Sequence, residues 1–134
     1  MMLEGIAASL YEAYNRHDVD AVGGLYAADA SHQDIAQAHG RIGPQAISAG
    51  LQKFFSWFAD AHWAPELVLH GAHGEVAVSY LLTATLTANM GPYEARGQHI
   101  SLRGVNILRV TDGLIRRSED YWDGETFKRQ LNTV

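Results

Sequence analysis

The sequence predicts an α+β domain in which N-terminal helices cover one face of a strongly curved, antiparallel or mixed sheet. Two changes along the 134 residues carry this expectation. In the first third, apolar residues recur at three- and four-residue spacing, as a buried helix face requires. After Trp63 the chain turns to runs rich in valine, leucine and threonine, broken by glycine or aspartate, as strands and turns require. With 47% hydrophobic and 19% charged residues, a chain of this length sustains one core without disulfides or a structural metal.

Leu3, Ile6, Ala7, Leu10 and Tyr14 define a first helix. Asp18 is placed to cap a second, with Asp20 in its electropositive first turn and Val22, Leu25 and Tyr26 as its apolar stripe. Ser31 to Asp34 reads as a short edge strand, followed by a loop from Ala36 to Arg41. A third helix starts at Gly43-Pro44, where proline occupies a position whose N–H is unneeded, and buries Ile47, Leu51, Phe54, Phe55 and Phe58. Phe54, Phe55, Trp57, Phe58 and Trp63 point in too many directions for one core stripe, so some are expected to reach a pocket or an interface.

The second half reads as two hairpins. Glu66–His70 and Glu75–Ala88 join across Gly71 to Gly74, and Asn89 to Pro92 marks a longer loop. Gln98–Val110 and Leu114–Asp123 join across Thr111-Asp112-Gly113, before a final helix from Glu125 to Leu131 that buries Phe127 and Leu131. In the second hairpin, turn length decides which side chains share a face. A two-residue turn sets Val105 opposite Asp120 and puts Asn106 and Asp120 on different faces. A three-residue turn sets Asn106 opposite Ser118 and Gly104 opposite Asp120, and gathers Ile100, Leu102, Leu108, Val110, Leu114 and Trp122 on one side. That apolar gathering selects the three-residue turn. The opposite side, with Arg103, Arg109, Arg117, Glu119, Tyr121 and Asp123, suits solvent or a second subunit. A sheet of this kind closed by helices makes a cone with one small-molecule pocket.

Asp120 and Asn106 then stand among apolar neighbours, with Gly104 leaving space beside the aspartate. An ionised carboxylate buried without partners costs several kcal/mol. Asp120 is therefore either a pocket acid/base with a raised pKa or a structural aspartate bonded to backbone. Strand alternation sets His32 and Asp34 on one side, where histidine exchanges protons near neutrality and aspartate fixes its tautomer; the competing reading is a solvated turn. Tyr80 alternates with Val76, Val78 and Leu82 and offers a hydroxyl to a ligand, or is a core tyrosine.

Several classes are excluded. With no cysteine, there is no disulfide scaffold, thiolate metal site or cysteine nucleophile. A net charge of −5 argues against nucleic acid and anionic membrane as partners. No segment approaches the ~18 apolar residues of a membrane span, and the start lacks a signal peptide's basic region; the expectation is a soluble cytoplasmic protein. Phosphate-loop, nucleophile-elbow, zinc-helix and dinucleotide motifs are missing, so no cofactor is expected. The seven histidines do not cluster at ligand spacing, and His32 with Asp34 makes two ligands at best, so no metal is expected.

The run Gly104-Val105-Asn106-Ile107-Leu108-Arg109-Val110-Thr111-Asp112-Gly113-Leu114-Ile115, leading into Glu119-Asp120-Tyr121-Trp122-Asp123, resembles the C-terminal hairpin of SnoaL-like proteins. These polyketide-cyclase-like members of the nuclear transport factor two superfamily share a cone-shaped fold with ketosteroid isomerases, scytalone dehydratase and limonene epoxide hydrolase. The resemblance implies one SnoaL-like domain over residues 1–134 and a homodimer through the outer sheet face. It also implies that Asp120 matches the acid/base of an intramolecular aldol closure that needs no cofactor. The cyclases' pocket histidine falls on Asn106. The hydrolase's arginine and second aspartate fall on Tyr80 and Leu82, which disfavours epoxide opening by that set, while its water-holding tyrosine and asparagine align with His32 and Asp34. In ketosteroid isomerases an apolar cone separates the protonation of two aspartates; Asp34 and Asp120 are candidates for such a divided pair, and if both face one cavity at least one pKa should be raised.

The resulting expectation is a cofactor-independent enzyme, an aldol cyclase, isomerase or related lyase, acting on a hydrophobic carbonyl- or hydroxyl-bearing molecule. Asp120, His32 and Asp34 are the candidate catalytic residues, and Asn106, Tyr80, Trp122, Phe58 and Tyr14 the candidate substrate contacts. The alternatives are a non-catalytic ligand-binding or dimeric scaffold, or a hydrolase that activates water at Asp120.

Overall fold

The computed structural model describes residues 4–37 and 39–133. Helices α1 (Gly5–Asn15), α2 (Val19–Gly23), α3 (Pro44–Trp57) and α4 (Gly124–Leu131) pack on a six-stranded sheet. The strands are β1 (Tyr26–Asp34), β2 (His39–Ile42), β3 (His62–His70), β4 (Glu75–Thr85), β5 (His99–Thr111) and β6 (Leu114–Trp122), in spatial order β2-β1-β6-β5-β4-β3. Every pair is antiparallel except β1 with β6, which is parallel. The α+β architecture expected from the sequence is thus present, with a mixed sheet.

Local signals account for the helices. Asp18 accepts from the Ala21 N–H and caps α2, and Pro44 opens α3 behind Gly43. Asp123 caps α4 by accepting from the Glu125 N–H and the Thr126 hydroxyl. Basic Lys128 and Arg129 lie in the last turn of α4, where the helix dipole favours them. Leu3, assigned to the first helix, falls outside the described residues.

Five expectations need correction. Tyr26 does not extend α2; it opens β1, which runs nine residues rather than four. Nor is β1 an edge, since it is bonded on both sides by β2 and β6. The segment expected as a loop before Gly43 supplies β2. β3 starts at His62, four residues before Glu66, because Asn15 of α1 holds the Trp63 backbone through two 2.9 Å hydrogen bonds.

The fifth correction concerns the β5–β6 hairpin. Its turn has two central residues, Asp112 and Gly113, both with positive φ, and Thr111 pairs with Leu114. This is the primed turn whose twist matches the strands. Register then shifts by one residue, since Val110 pairs with Ile115 but Arg109 with Arg117. The extra residue, Arg116, is a bulge in β6 whose guanidinium reaches Asp29 at 3.4 Å. The bulge lets both Ile115 and Ser118 bury completely. It also restores the parity of a three-residue turn, so Asn106 and Asp120 do share a face. Their partners differ from those expected: Asn106 is opposite Asp120, and Gly104 is opposite Trp122.

The inner sheet face carries Val76, Val78, Tyr80, Leu82 and Ala84 from β4 and Ile100, Leu102 and Leu108 from β5, all buried against Leu10, Tyr11, Tyr14, Val22, Ile47 and Phe55 of the helices.

Candidate active site

A cavity of about 150 Å³ opens between the inner sheet face and α3. Its walls are mostly apolar, including Tyr14, Leu51, Phe54, Trp57, Trp63, Leu82, Met90, Leu102 and Phe127. Its polar lining is short: His32, Asp34, Gln37, Arg41, Tyr80 and Asp120, with the indole of Trp122. A few converging polar groups in an apolar concavity is the usual composition of a small-molecule site.

Sheet register brings these groups together. In the parallel pair, His32 is the partner of Ser118 and Asp34 is the partner of Asp120. In β1–β2, His32 is also the partner of Arg41. Directly paired residues point to one face, so Arg41, His32, Asp34, Ser118 and Asp120 form two adjoining rows across β2, β1 and β6.

One chain of hydrogen bonds fixes the imidazole. The Tyr26 hydroxyl and the Ser118 hydroxyl are 2.7 Å apart, and Ser118 lies 2.6 Å from His32 Nδ1. His32 Nε2 lies 3.5 Å from Asp34 Oδ1. For the neutral imidazole one direction satisfies all three: Tyr26 donates to Ser118, Ser118 donates to Nδ1, and the Nε2–H faces the carboxylate. Asp34 Oδ1 also accepts from the Trp122 indole at 3.4 Å. Burial pushes Asp34 up, but the hydrogen bond and charge of His32, the Trp122 indole and the charge of Arg41 outweigh it and hold the carboxyl below its ordinary value.

Asp120 is the opposite case. Burial, then the neighbouring Asp34 charge, push it up to about 7, against the opposing pull of the Tyr80 hydrogen bond and His32. Tyr80 donates to Asp120 Oδ1 at 2.5 Å. Burial, with Asp120 alongside, drives the Tyr80 phenol far above its ordinary value, so it stays a donor. Gly104 makes this bond possible, because a Cβ there would collide with the Tyr80 ring and hydroxyl. The space expected beside Gly104 is therefore filled by the phenol.

The cavity wall includes all three candidate catalytic residues, Asp120, His32 and Asp34, together with Tyr80, Trp122 and Tyr14. Two expected contacts are not on the wall. Phe58 ends α3 as a fully buried core residue, whereas Phe54, Trp57 and Trp63 face the cavity. Asn106 is 1% exposed, and neither its amide atoms nor the Tyr11 hydroxyl beside it has a hydrogen-bond partner among the described residues. Ser118, Tyr26 and Arg41 stand at the site without being among the residues expected there. Ser118 shares strand parity with Asp120, a signal present in the sequence, whereas Arg41 reaches the site through the β1–β2 pairing, which no local pattern marks. Among the described residues, no group of three or more histidine, aspartate or glutamate side chains is arranged to hold a metal.

The sequence matches the SnoaL-like polyketide cyclase family over residues 5–131. The chain belongs to that family. Solved structures agree with the assignment. A candidate polyketide cyclase from Xanthomonas campestris pv. campestris is 26% identical, with a TM-score of 0.88 over 95% of this chain and 94% of that one. A protein with a ketosteroid isomerase-like fold from Catenulispora acidiphila, solved with trimethylamine, is 16% identical with a TM-score of 0.86, covering 99% and 96% of the two chains. A candidate polyketide cyclase from Pseudomonas putida is 22% identical with a TM-score of 0.84, covering 93% and 94%. No functionally curated protein matches the chain. In this SnoaL-like chain the family cone therefore surrounds the Asp34–Asp120 cavity. No described helix is long and apolar enough to cross a membrane.

Proposed function

We propose that the protein is a cofactor-independent enzyme that moves a proton on an apolar small molecule bearing a carbonyl or hydroxyl group, in an aldol cyclisation, isomerisation or related lyase reaction. The observation that carries this reading is Asp120, a carboxyl in an apolar cavity with its pKa near 7, hydrogen-bonded by Tyr80. A general acid/base works best when its pKa lies close to the operating pH.

As the carboxylate, Asp120 takes a proton from the carbon next to a substrate carbonyl; as the acid, it returns the proton to carbon or oxygen after the bond rearranges. Tyr80 holds the carboxylate in place. His32, with its Nε2–H directed at Asp34, fixes the carboxylate whose charge borders Asp120 and so helps to set the proton affinity of that acid/base. Asp34 keeps the imidazole in that tautomer, and the aromatic wall binds the apolar body of the substrate. Convergence of Asp120, His32 and Asp34 on one open cavity supports an enzyme over a ligand-binding scaffold.

The test is a screen of polyketide-type, terpenoid and steroid-like ketones for turnover, followed by Asp120→Asn on any substrate found. The variant keeps shape and loses the ionisable group, so turnover should vanish; unchanged activity overturns the mechanism.

The outer sheet face supports a homodimer. Leu67 is 51% exposed, and Val105, Ile107 and Tyr121 are exposed beside it. The pairs Arg103–Glu66, Arg109–Glu75 and Arg117–Glu119 lie among them. Apolar side chains bordered by ion pairs are the usual make-up of a subunit contact.

A further inference from the structure

Arg41 has no role in the proton transfer described above, yet its side chain lines the cavity. Three observations define its position. It is the register partner of His32 on β2, so it stands on the same sheet face. Its Nε, Cζ and Cδ lie so close over Gly50 of α3 that a Cβ at residue 50 would strike all three. Among the described residues, no carboxylate comes within 4.0 Å of its guanidinium, although six other ion pairs of this chain engage arginines. The Arg41 charge acts on Asp34 across the cavity, but with no ion pair its partly buried guanidinium keeps its donors available to a ligand. The two flat donors of its fork suit a carboxylate.

From this geometry we propose that Arg41 binds a carboxylate of the substrate, so that the substrate is an elongated apolar acid rather than a neutral ketone. Strands β2 and β6 are separated by β1, so the Arg41 and Asp120 backbones are on the order of 10 Å apart. The carboxylate is therefore held away from the reacting carbon rather than next to it. Asp34 takes its hydrogen bonds from His32 and Trp122 and only the longer-range charge of Arg41, so the guanidinium donors stay open to the anion.

The inference rests on the proposed small-molecule function, and one titration separates the two. All three tryptophans of the chain, Trp57, Trp63 and Trp122, line the cavity, so their fluorescence reports occupancy. The probes are 3-cyclohexylpropanoate and its neutral counterpart 4-cyclohexylbutan-2-one, at low salt and pH 6. The wild-type protein should bind the carboxylate at least ~10-fold tighter, as a charge-assisted, bidentate contact predicts. Arg41→Gln should remove that preference and leave ketone affinity unchanged. Gly50→Ala, which favours the helix but displaces the guanidinium, should reduce the preference in the same way. Equal affinity for the two probes in the wild-type protein, or a parallel loss of both in Arg41→Gln, overturns the role of Arg41 and leaves the cavity reading intact. Entry of neither probe overturns both.

Discussion

Asp34 and Asp120 are register partners on the parallel strands β1 and β6, which places two carboxylates on neighbouring strands about 4.8 Å apart. Like charges so placed repel, and the protein resolves the conflict by giving the two residues unequal surroundings. Asp34 receives His32, the Trp122 indole and the Arg41 charge, and ionises easily. Asp120 receives burial, the Asp34 charge and one phenol, and holds its proton to about pH 7.

Removing the neighbouring charge should therefore lower the Asp120 pKa. In Asp34→Asn, the acid limb of the pH–rate profile, or the carboxyl chemical shift of Asp120 followed by NMR, should move to lower pH. An unmoved titration would mean that burial alone sets it.

Tyr80→Phe should move the same titration upward, because the lost hydrogen bond favoured the ionised form. Hydrogen bonds to charged groups contribute about 1.5–3 kcal/mol, so kcat at pH 7 should fall by roughly 10- to 100-fold. Full activity with an unshifted profile would remove Tyr80 from the mechanism.

Gly104→Ala should reproduce that effect with both polar residues retained, since the new methyl group displaces the Tyr80 ring. Overpacking of this kind costs about 1–3 kcal/mol. The check is a lowered urea midpoint together with the pH profile of Tyr80→Phe.

Stability should fall as pH rises through the titration of Asp120. Its ordinary carboxyl ionises near 3.8, and in the folded protein near 7. Between these values the native state holds the extra proton, so stability decreases with pH and levels off above 7, by up to about 4 kcal/mol. Asp34 acts with the opposite sign: its lowered pKa adds stability above the ordinary value that is lost as pH falls. Urea unfolding at pH 5 and pH 8 should show a larger loss in the wild-type protein than in Asp120→Asn. Equal losses would contradict a raised pKa.

The proposed dimer contact predicts that Ile107→Asp, on the exposed face of β5, yields a monomer by light scattering with the fold intact by circular dichroism. A wild-type protein that is already monomeric would refute the contact.

What the sequence determined by itself is whatever depends on near neighbours along the chain. The three- and four-residue spacing through Leu10 and Tyr14, the Asp18 cap, Pro44 at the start of α3 and the alternation from Val76 to Ala84 are local causes with local effects. The Asp112-Gly113 turn is local too, but the Arg116 bulge cancels its register within three residues, and no periodicity announces an extra residue. The single-face placement of Asn106 and Asp120 thus followed from hydrophobic gathering even though the expected turn was wrong. Tertiary structure alone decided the parallel joining of β1 to β6, because partners such as Asp34 and Asp120 are brought together by packing of the elements between them. That joining turned a short polar segment into an inner strand, set Ser118 behind His32 and gave Asp120 its charged neighbour. The added β2 strand then carried Arg41 to the cavity. Phe58 and Phe54 differ by one helical turn, and only the closure of α3 over the sheet decided which of them entered the core and which faced the ligand space.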